Sequence, residues 1–384
     1  MKTPGLIALL AVGILAVSCA NSNVDSQTDV QIRSEQTSAA PREISSDGGW
    51  QDLVTDVAGG IFLGAEKGII FYAYDVLTYP DEPVELAAKV QMARILEDVP
   101  DVTVGFYQDS KLIGSAKTDD YGRASLRWTP PKAADYFFTA KIIAVPDKDY
   151  EDMLEVSPAP LLVAARTKET LFVVIDLDHT VVGSSFFRVL LGGAKPMTNS
   201  VEVTRRIGKK YSIIYLTQRP ALLTRKSKLW LKDNRYPAGA LLLSDLKEAL
   251  SGSGKFKTNR LAVTKKSFPG IQLGIGDKPS DAQAYVDNGM TAYLLPHYKE
   301  KSKDLMEKAR QIRDLRGQGR LHVVGNWSEI EAGILKRRTF PPETFVSHLE
   351  CRATQLQIEE NRRKEKEEEE EDDDDEEEED DDDD

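Results

Sequence analysis

Residues Leu171–Val182 read LFVVIDLDHTVV, and this stretch decides the fold. Five apolar residues, Leu171 to Ile175, form a run too short for a typical helix and rich in branched and aromatic side chains. That is the pattern of a strand buried on both faces of a parallel sheet. The run ends in two carboxylates, Asp176 and Asp178, with Thr180 following. Aspartate has poor strand propensity and is costly to bury unpaired, so something at the strand's end must offset it. A hard divalent cation does so, because it prefers carboxylate oxygens. The carboxyl end of a parallel strand is also where open α/β sheets bind ligands.

Three further segments follow in order. Tyr211–Leu216 is a second apolar strand ending in Thr217; Lys255 and Lys257 lie downstream; Ile271–Ile275 then runs into Gly276-Asp277-Lys278-Pro279-Ser280-Asp281. With Asp176-Leu177-Asp178-His179-Thr180, these pieces match DxDxT, Thr, Lys and GDxxxD, and from about Leu161 to Pro296 the chain resembles the haloacid dehalogenase-like (HAD) phosphohydrolases. YLTQRP and RYPAGALLLSD within it resemble the lipin-type and related bacterial phosphatidate phosphatase branch.

The resemblance implies a Mg²⁺-dependent phosphatase with Asp176 as nucleophile and Asp178 as general acid/base. A carboxylate needs no deprotonation at neutral pH, and an aspartyl-phosphate divides hydrolysis into two easier displacements. Thr217 and Lys257 would hold the phosphoryl oxygens. The metal would sit on Asp176, Asp277 and a backbone carbonyl near Asp178. Asp281 either orients the loop or a metal-bound water, or caps the helix starting near Ala282. Lys255 competes with Lys257, and Arg219 is an extra phosphate-contact candidate. His179 stands where lipins carry glycine. The alternative is a non-catalytic module whose pocket binds a phosphorylated lipid, although keeping both aspartates favours an enzyme.

Around this core the expected fold is α/β, a doubly wound, mostly parallel, uncapped HAD-like sheet over residues 160–350. Helical spacing at Val201–Lys210, Ala221–Asn234 and Ala282–Asn288 alternates with the strands. Lys303–Arg316 reads as a charged helix, Leu321–Val324 as a last strand, and Asn326 or Ser328 as the cap of a helix through Leu335. The intervals Val181–Tyr211 and Gln218–Phe256 leave little room for a cap. An open site suits a substrate presented on a surface, such as a lipid headgroup.

Residues 50–150 change pattern. VELAAKVQMA, VTVGFYQ, KLIGSAKT, RASLRW and YFFTAKIIAV alternate like short strands, and the whole resembles a small all-β immunoglobulin-like sandwich without evident catalytic groups. A linker follows, with a lead-in strand to the catalytic domain at Leu161–Ala165.

The chain ends are of another kind. Met1–Ser18 has a lysine, an apolar core and small residues before Cys19, the pattern of a secretory signal peptide. Leu15-Ala16-Val17-Ser18-Cys19 resembles a bacterial lipobox, in which Cys19 becomes lipidated; Ala16-Val17-Ser18 could equally serve ordinary signal peptidase. Residues 19–49 are polar and read as a disordered tether. The expected location is the bacterial cell envelope, with a membrane contact through the anchor. With only Cys19 and Cys351 present, an intrachain disulfide is not expected once Cys19 is modified or removed.

The formal net charge of -13 is misleading, because Glu367–Asp384 is unbroken acid. Residues 171–299 carry twenty Lys and Arg against nine Asp and Glu. Such a field draws in anions, phosphorylated substrates or acidic lipid surfaces; no nucleic-acid partner is expected. Residues 351–384 read as a charged helix, Gln355–Lys366, fraying into a disordered acidic tail.

Overall fold

The computed structural model describes residues 65–377 apart from 95, 184–192, 246–252 and 318. The expected signal peptide, Cys19, the tether and the last acidic residues lie outside the described residues. Nine strands come first: β1 (Ile69–Ala73), β2 (Val76–Thr78), β3 (Val84–Met92), β4 (Glu97–Asp98), β5 (Thr103–Gln108), β6 (Lys111–Lys117), β7 (Arg123–Trp128), β8 (Ala134–Ala144) and β9 (Ala159–Ala165). They form two sheets, β3 with β1, β4 and β7, and β2-β9-β8-β5-β6. Phe71, Leu86, Val104, Phe106, Phe138, Ile142 and Val163 fill the space between them. Alternation sets this up, since along β8 Phe138, Ala140 and Ile142 are buried while Phe137, Thr139 and Lys141 are exposed.

Strand β9 departs from the expected lead-in role at Leu161–Ala165. It pairs antiparallel with β8 and parallel with β2, inside the sandwich. The physical reason is that both of its faces are covered. Leu161 and Val163 point into the sandwich core, while Leu162 and Ala164 pack with Ala240 of the following half. A strand buried twice reads as a continuous apolar run, which is the mark of an α/β strand.

The second half is a six-stranded, all-parallel sheet of β10 (Phe172–Ile175), β11 (Ser212–Pro220), β12 (Ala240–Ser244), β13 (Ile271–Gly276), β14 (Thr291–Leu294) and β15 (Leu321–Val323). The spatial order is β12-β11-β10-β13-β14-β15. Helices α1 (Ser200–Ile207), α2 (Thr224–Asp233), α3 (Ser253–Ser267), α4 (Pro279–Asp287), α5 (Ser302–Arg313), α6 (Trp327–Lys336) and α7 (Pro342–Glu377) cover it. Phe172 and Val174 face α3, α4, α5 and α7, where Leu261, Tyr285, Leu305 and Leu349 are buried. Val173 and Ile175 face α1, α2 and α6 through Val203, Trp230 and Ile330. The chain leaves β10 toward β11 and β12, then returns to β13 on the other side. The switch point therefore lies between β10 and β13, where such sheets bind ligands.

Two elements in this half had no counterpart in the sequence reading, β12 and α3. Asn326 caps α6 by accepting the Glu329 amide. The last helix also differs from expectation: it starts at Pro342, because Val346, Leu349 and Ala353 bury against the sheet's helices. It continues to Glu377 instead of fraying near Lys366. Once a packed segment has nucleated a helix, extending it costs little.

The halves are joined by ion pairs and an aromatic contact as well as by β9. Lys228 pairs with Asp75 at 2.6 Å, Arg225 with Glu66 at 2.5 Å, and the Tyr79 ring lies 4.7 Å from that of Phe268.

Candidate active site

The carboxyl ends of β10, β11 and β13 bring the motif residues together. Asp176 follows β10, and its amide donates to the Ile275 carbonyl at 3.0 Å, which fixes it against β13. Thr217 lies in β11, two residues past Tyr215, which pairs with Ile175. Asp277 follows β13 directly. Asp281 sits in the first turn of α4, and Lys257 projects from α3. Close packing makes this possible: a Cβ on Gly276 would lie 3.0 Å from that of Asp281, and one on Gly274 would strike the Tyr285 ring at 2.2 Å.

Ligand atoms of Asp176, Asp277 and Asp281 all lie within 4.8 Å of one another, and all three residues are buried. Lys257, only 1% exposed, places its ammonium 2.7 Å from both Asp176 Oδ1 and Asp281 Oδ2. Lys255 is exposed, so the geometry selects Lys257. Asp281 does not cap α4; it pairs with Lys257 instead.

One ammonium faces three carboxylates. Burial pushes the Asp176 carboxyl up to about 6, with Lys257 pulling the other way and Asp281 and Asp178 adding to the rise. Asp277 is driven well above the usual carboxylate range by burial, then by Asp176 and Asp281. Its Oδ1 is buried and accepts no hydrogen bond among the described residues. Burial pulls Lys257 down, but Asp176 and Asp281 outweigh it and hold the ammonium above the ordinary lysine value. An oxygen-only donor set with surplus negative charge is what a hard cation satisfies.

Asp178 takes a different direction from the three clustered carboxylates. Its side chain is held by Arg219, Nε to Oδ2 at 3.0 Å and Nη2 to Oδ1 at 2.6 Å. Arg219 is thus engaged with a carboxylate where a phosphate contact was one expectation. Its carboxylate lies outside that cluster, so Asp178 could join a cation site there only through its backbone carbonyl. His179 has φ 53°, the left-handed region that glycine enters freely and histidine more readily than most residues. This gives the glycine of lipins a backbone reason. The His179 ring stacks on His297 with centroids 4.2 Å apart. Burial lowers the His179 imidazole to about 4, so it is neutral near pH 7.

His297 and the Arg219–Asp178 pair were absent from the sequence reading. His297 carries no motif signal, and only Arg219 within YLTQRP hinted at the second. The lysine was legible only as a choice of two, since α3 has no apolar stripe of helical period.

These elements coincide with a family match. Residues 173–293 match the LNS2 domain of PITM 1-3. That model belongs to the HAD-like phosphatase domains, is related to the lipin-type branch, and covers under half of the chain. No curated protein matches the chain. Among solved structures, the D00-D0 domain of Intimin is 20% identical over 25% of this chain and 46% of that one, TM-score 0.19. The D0-D1 domain of Intimin is 16% identical over 27% and 56%, TM-score 0.20. The chain thus spans about half the length of these structures, and likenesses this low add nothing to the fold described above.

Proposed function

We propose that the chain is a Mg²⁺-dependent phosphomonoester phosphatase of the doubly wound, uncapped HAD type, working through an aspartyl-phosphate on a lipid such as phosphatidate. The convergence of Asp176, Asp277 and Asp281 around Lys257, at the switch point of a parallel sheet, carries the reading. Asp176 and Asp277 would hold the cation, with a carbonyl near Asp178. When bound, it supplies positive charge against the phosphoryl oxygens.

The chain's own residues carry the proton and bond changes. Asp176 attacks phosphorus; as the bond to the leaving alcohol breaks, Asp178 passes its proton to that oxygen. Asp178 then takes a proton from water, whose oxygen attacks the aspartyl-phosphate. Cleavage of the phosphorus–Asp176 bond frees phosphate and restores the carboxylate. Thr217 offers a hydroxyl to the phosphoryl oxygens, and Lys257 neutralises their charge.

A lipid substrate is supported by the excess of Lys and Arg over residues 171–299 and by the lipin-related match. Among the described residues, nothing larger than α1, α2 and β12 stands between the first and third motifs. In this reading Cys19 anchors the chain at the bacterial envelope, and the immunoglobulin-like sandwich is a spacer or docking module.

Purified chain with Mg²⁺ should release phosphate from phosphatidate in mixed micelles, and Asp176→Asn should abolish the release. Inactivity of the unsubstituted chain toward a broad phosphomonoester panel overturns the reading. So does liposome binding without turnover that survives both chelation and Asp176→Asn.

A further inference from the structure

We infer that Arg219 is the positioning residue for Asp178, its guanidinium fork fixing the plane of the carboxyl that handles the proton. The inference rests on the phosphatase reading and adds to it a residue outside the expected set.

Arg219 is 4% exposed, and all three guanidinium nitrogens are engaged. Nε and Nη2 take the two Asp178 oxygens, and Nη1 donates to Ser227 Oγ at 2.9 Å on α2. The backbone of Arg219 is fixed as well. Its amide donates to Thr217 Oγ1 at 3.3 Å, and its carbonyl accepts from Ser244 Oγ at 3.2 Å at the end of β12. Two neighbouring strand ends and one helix therefore set the fork before any substrate arrives.

A bidentate guanidinium–carboxylate pair is planar and directional. It occupies one lone pair on each carboxyl oxygen, and a carboxylate has about four such sites. The remaining lone pairs stay available to carry a proton to the leaving oxygen or to take one from water. Among the described residues Asp178 has no other side-chain partner to define its plane, and its side chain is 19% exposed. Without the fork it can rotate away, and misplaced general acids lose most of their rate advantage. A lysine cannot replace the fork, because a point charge fixes no plane.

The test uses the full chain with Mg²⁺ and two substrates. 4-Nitrophenyl phosphate expels a weakly basic anion that leaves without a proton, whereas a short-chain alkyl phosphate expels an alkoxide that needs one. Rapid mixing reads the first turnover on the aryl ester, and steady state reads the alkyl ester. Arg219→Ala should slow the alkyl ester by about 10²-fold, and the aryl first turnover at least about tenfold less. Asp178→Asn should show the same imbalance, and Arg219→Lys should resemble Arg219→Ala. Ser227→Ala removes only the anchor of the fork and should give a smaller imbalance of the same sign, which keeps the test alive if Arg219→Ala does not fold. Equal slowing of both esters in folded variants means that Arg219 only packs, and overturns the inference. A raised KM with kcat held means a phosphate contact, and also overturns it. An unsubstituted chain inactive on both esters is a different result: it removes the phosphatase reading and this inference together.

Discussion

Two buried ion pairs in this molecule look alike and are balanced in opposite ways. At the seam between the halves, Asp75 accepts from Lys228 at 2.6 Å, from the Leu162 amide at 2.8 Å and from the Leu241 amide at 2.9 Å. Lys228 donates in turn to the carbonyls of Ala73 and Pro160, each at 2.8 Å. Every group there has its partner. At the switch point, Asp176 and Lys257 also meet at 2.7 Å, yet Asp281 shares the same ammonium, Asp277 brings a third carboxylate within 4.8 Å of the other two, and Asp277 Oδ1 has no donor among the described residues. The two lysines respond differently: burial lowers Lys228 despite Asp75, while Asp176 and Asp281 raise Lys257 against the pull of burial. A satisfied pair fastens two surfaces. An unsatisfied one leaves negative charge for a ligand to complete.

Substitutions at the two places should separate those roles. The largest effect belongs to Asp176→Asn, which removes the proposed nucleophile and should cut phosphate release by at least about 10³-fold without unfolding the chain. Lys228→Met should destabilise by about 3–5 kcal/mol, read as a lower urea midpoint, because it leaves the Asp75 charge buried and unpaired. Turnover per folded molecule should be kept. Asp277→Asn should do the opposite of Lys228→Met: the cation-free protein should melt about 2–4 °C higher near neutral pH, and Mg²⁺ should no longer raise the melting temperature.

The smallest effect is on pH. Between the ordinary carboxylate value and the raised value of about 6 for Asp176, the folded chain binds more protons than the unfolded one. Its stability without cation should therefore increase as pH falls through about 6 toward about 4, and the melting increment given by Mg²⁺ should shrink over the same window. An increment independent of pH would break the comparison, because the cation would then not be replacing those protons.

Much of the site was legible because its chemistry is local in sequence. Asp176 and Asp277 each end an apolar run, and a buried run ending in carboxylates admits few explanations. Thr217 was legible for the same reason. Strand β12 and helix α3 were not, since Ala240–Ser244 is short and Ser253–Ser267 has no stripe of helical period. Strand β9 was legible as a strand but not as the sandwich's own, because two covered faces erase the alternation that marks a sandwich strand. Arg219 stood only as an extra phosphate-contact candidate, because nothing in YLTQRP says that its guanidinium folds back 41 residues to Asp178.

The sequence alone determined that Leu171–Ile175, Tyr211–Leu216 and Ile271–Ile275 are buried strands, where the carboxylates at their ends fall, and that the excess of Lys and Arg lies in the second half. Period and local propensity decide these, and both are written in neighbouring residues. Only the tertiary structure decided that Lys257 rather than Lys255 reaches Asp176, that Asp281 pairs instead of capping, and that Arg219 grips Asp178. Each is a matter of a few ångströms between side chains far apart in the chain, set by how helices pack on a twisted sheet.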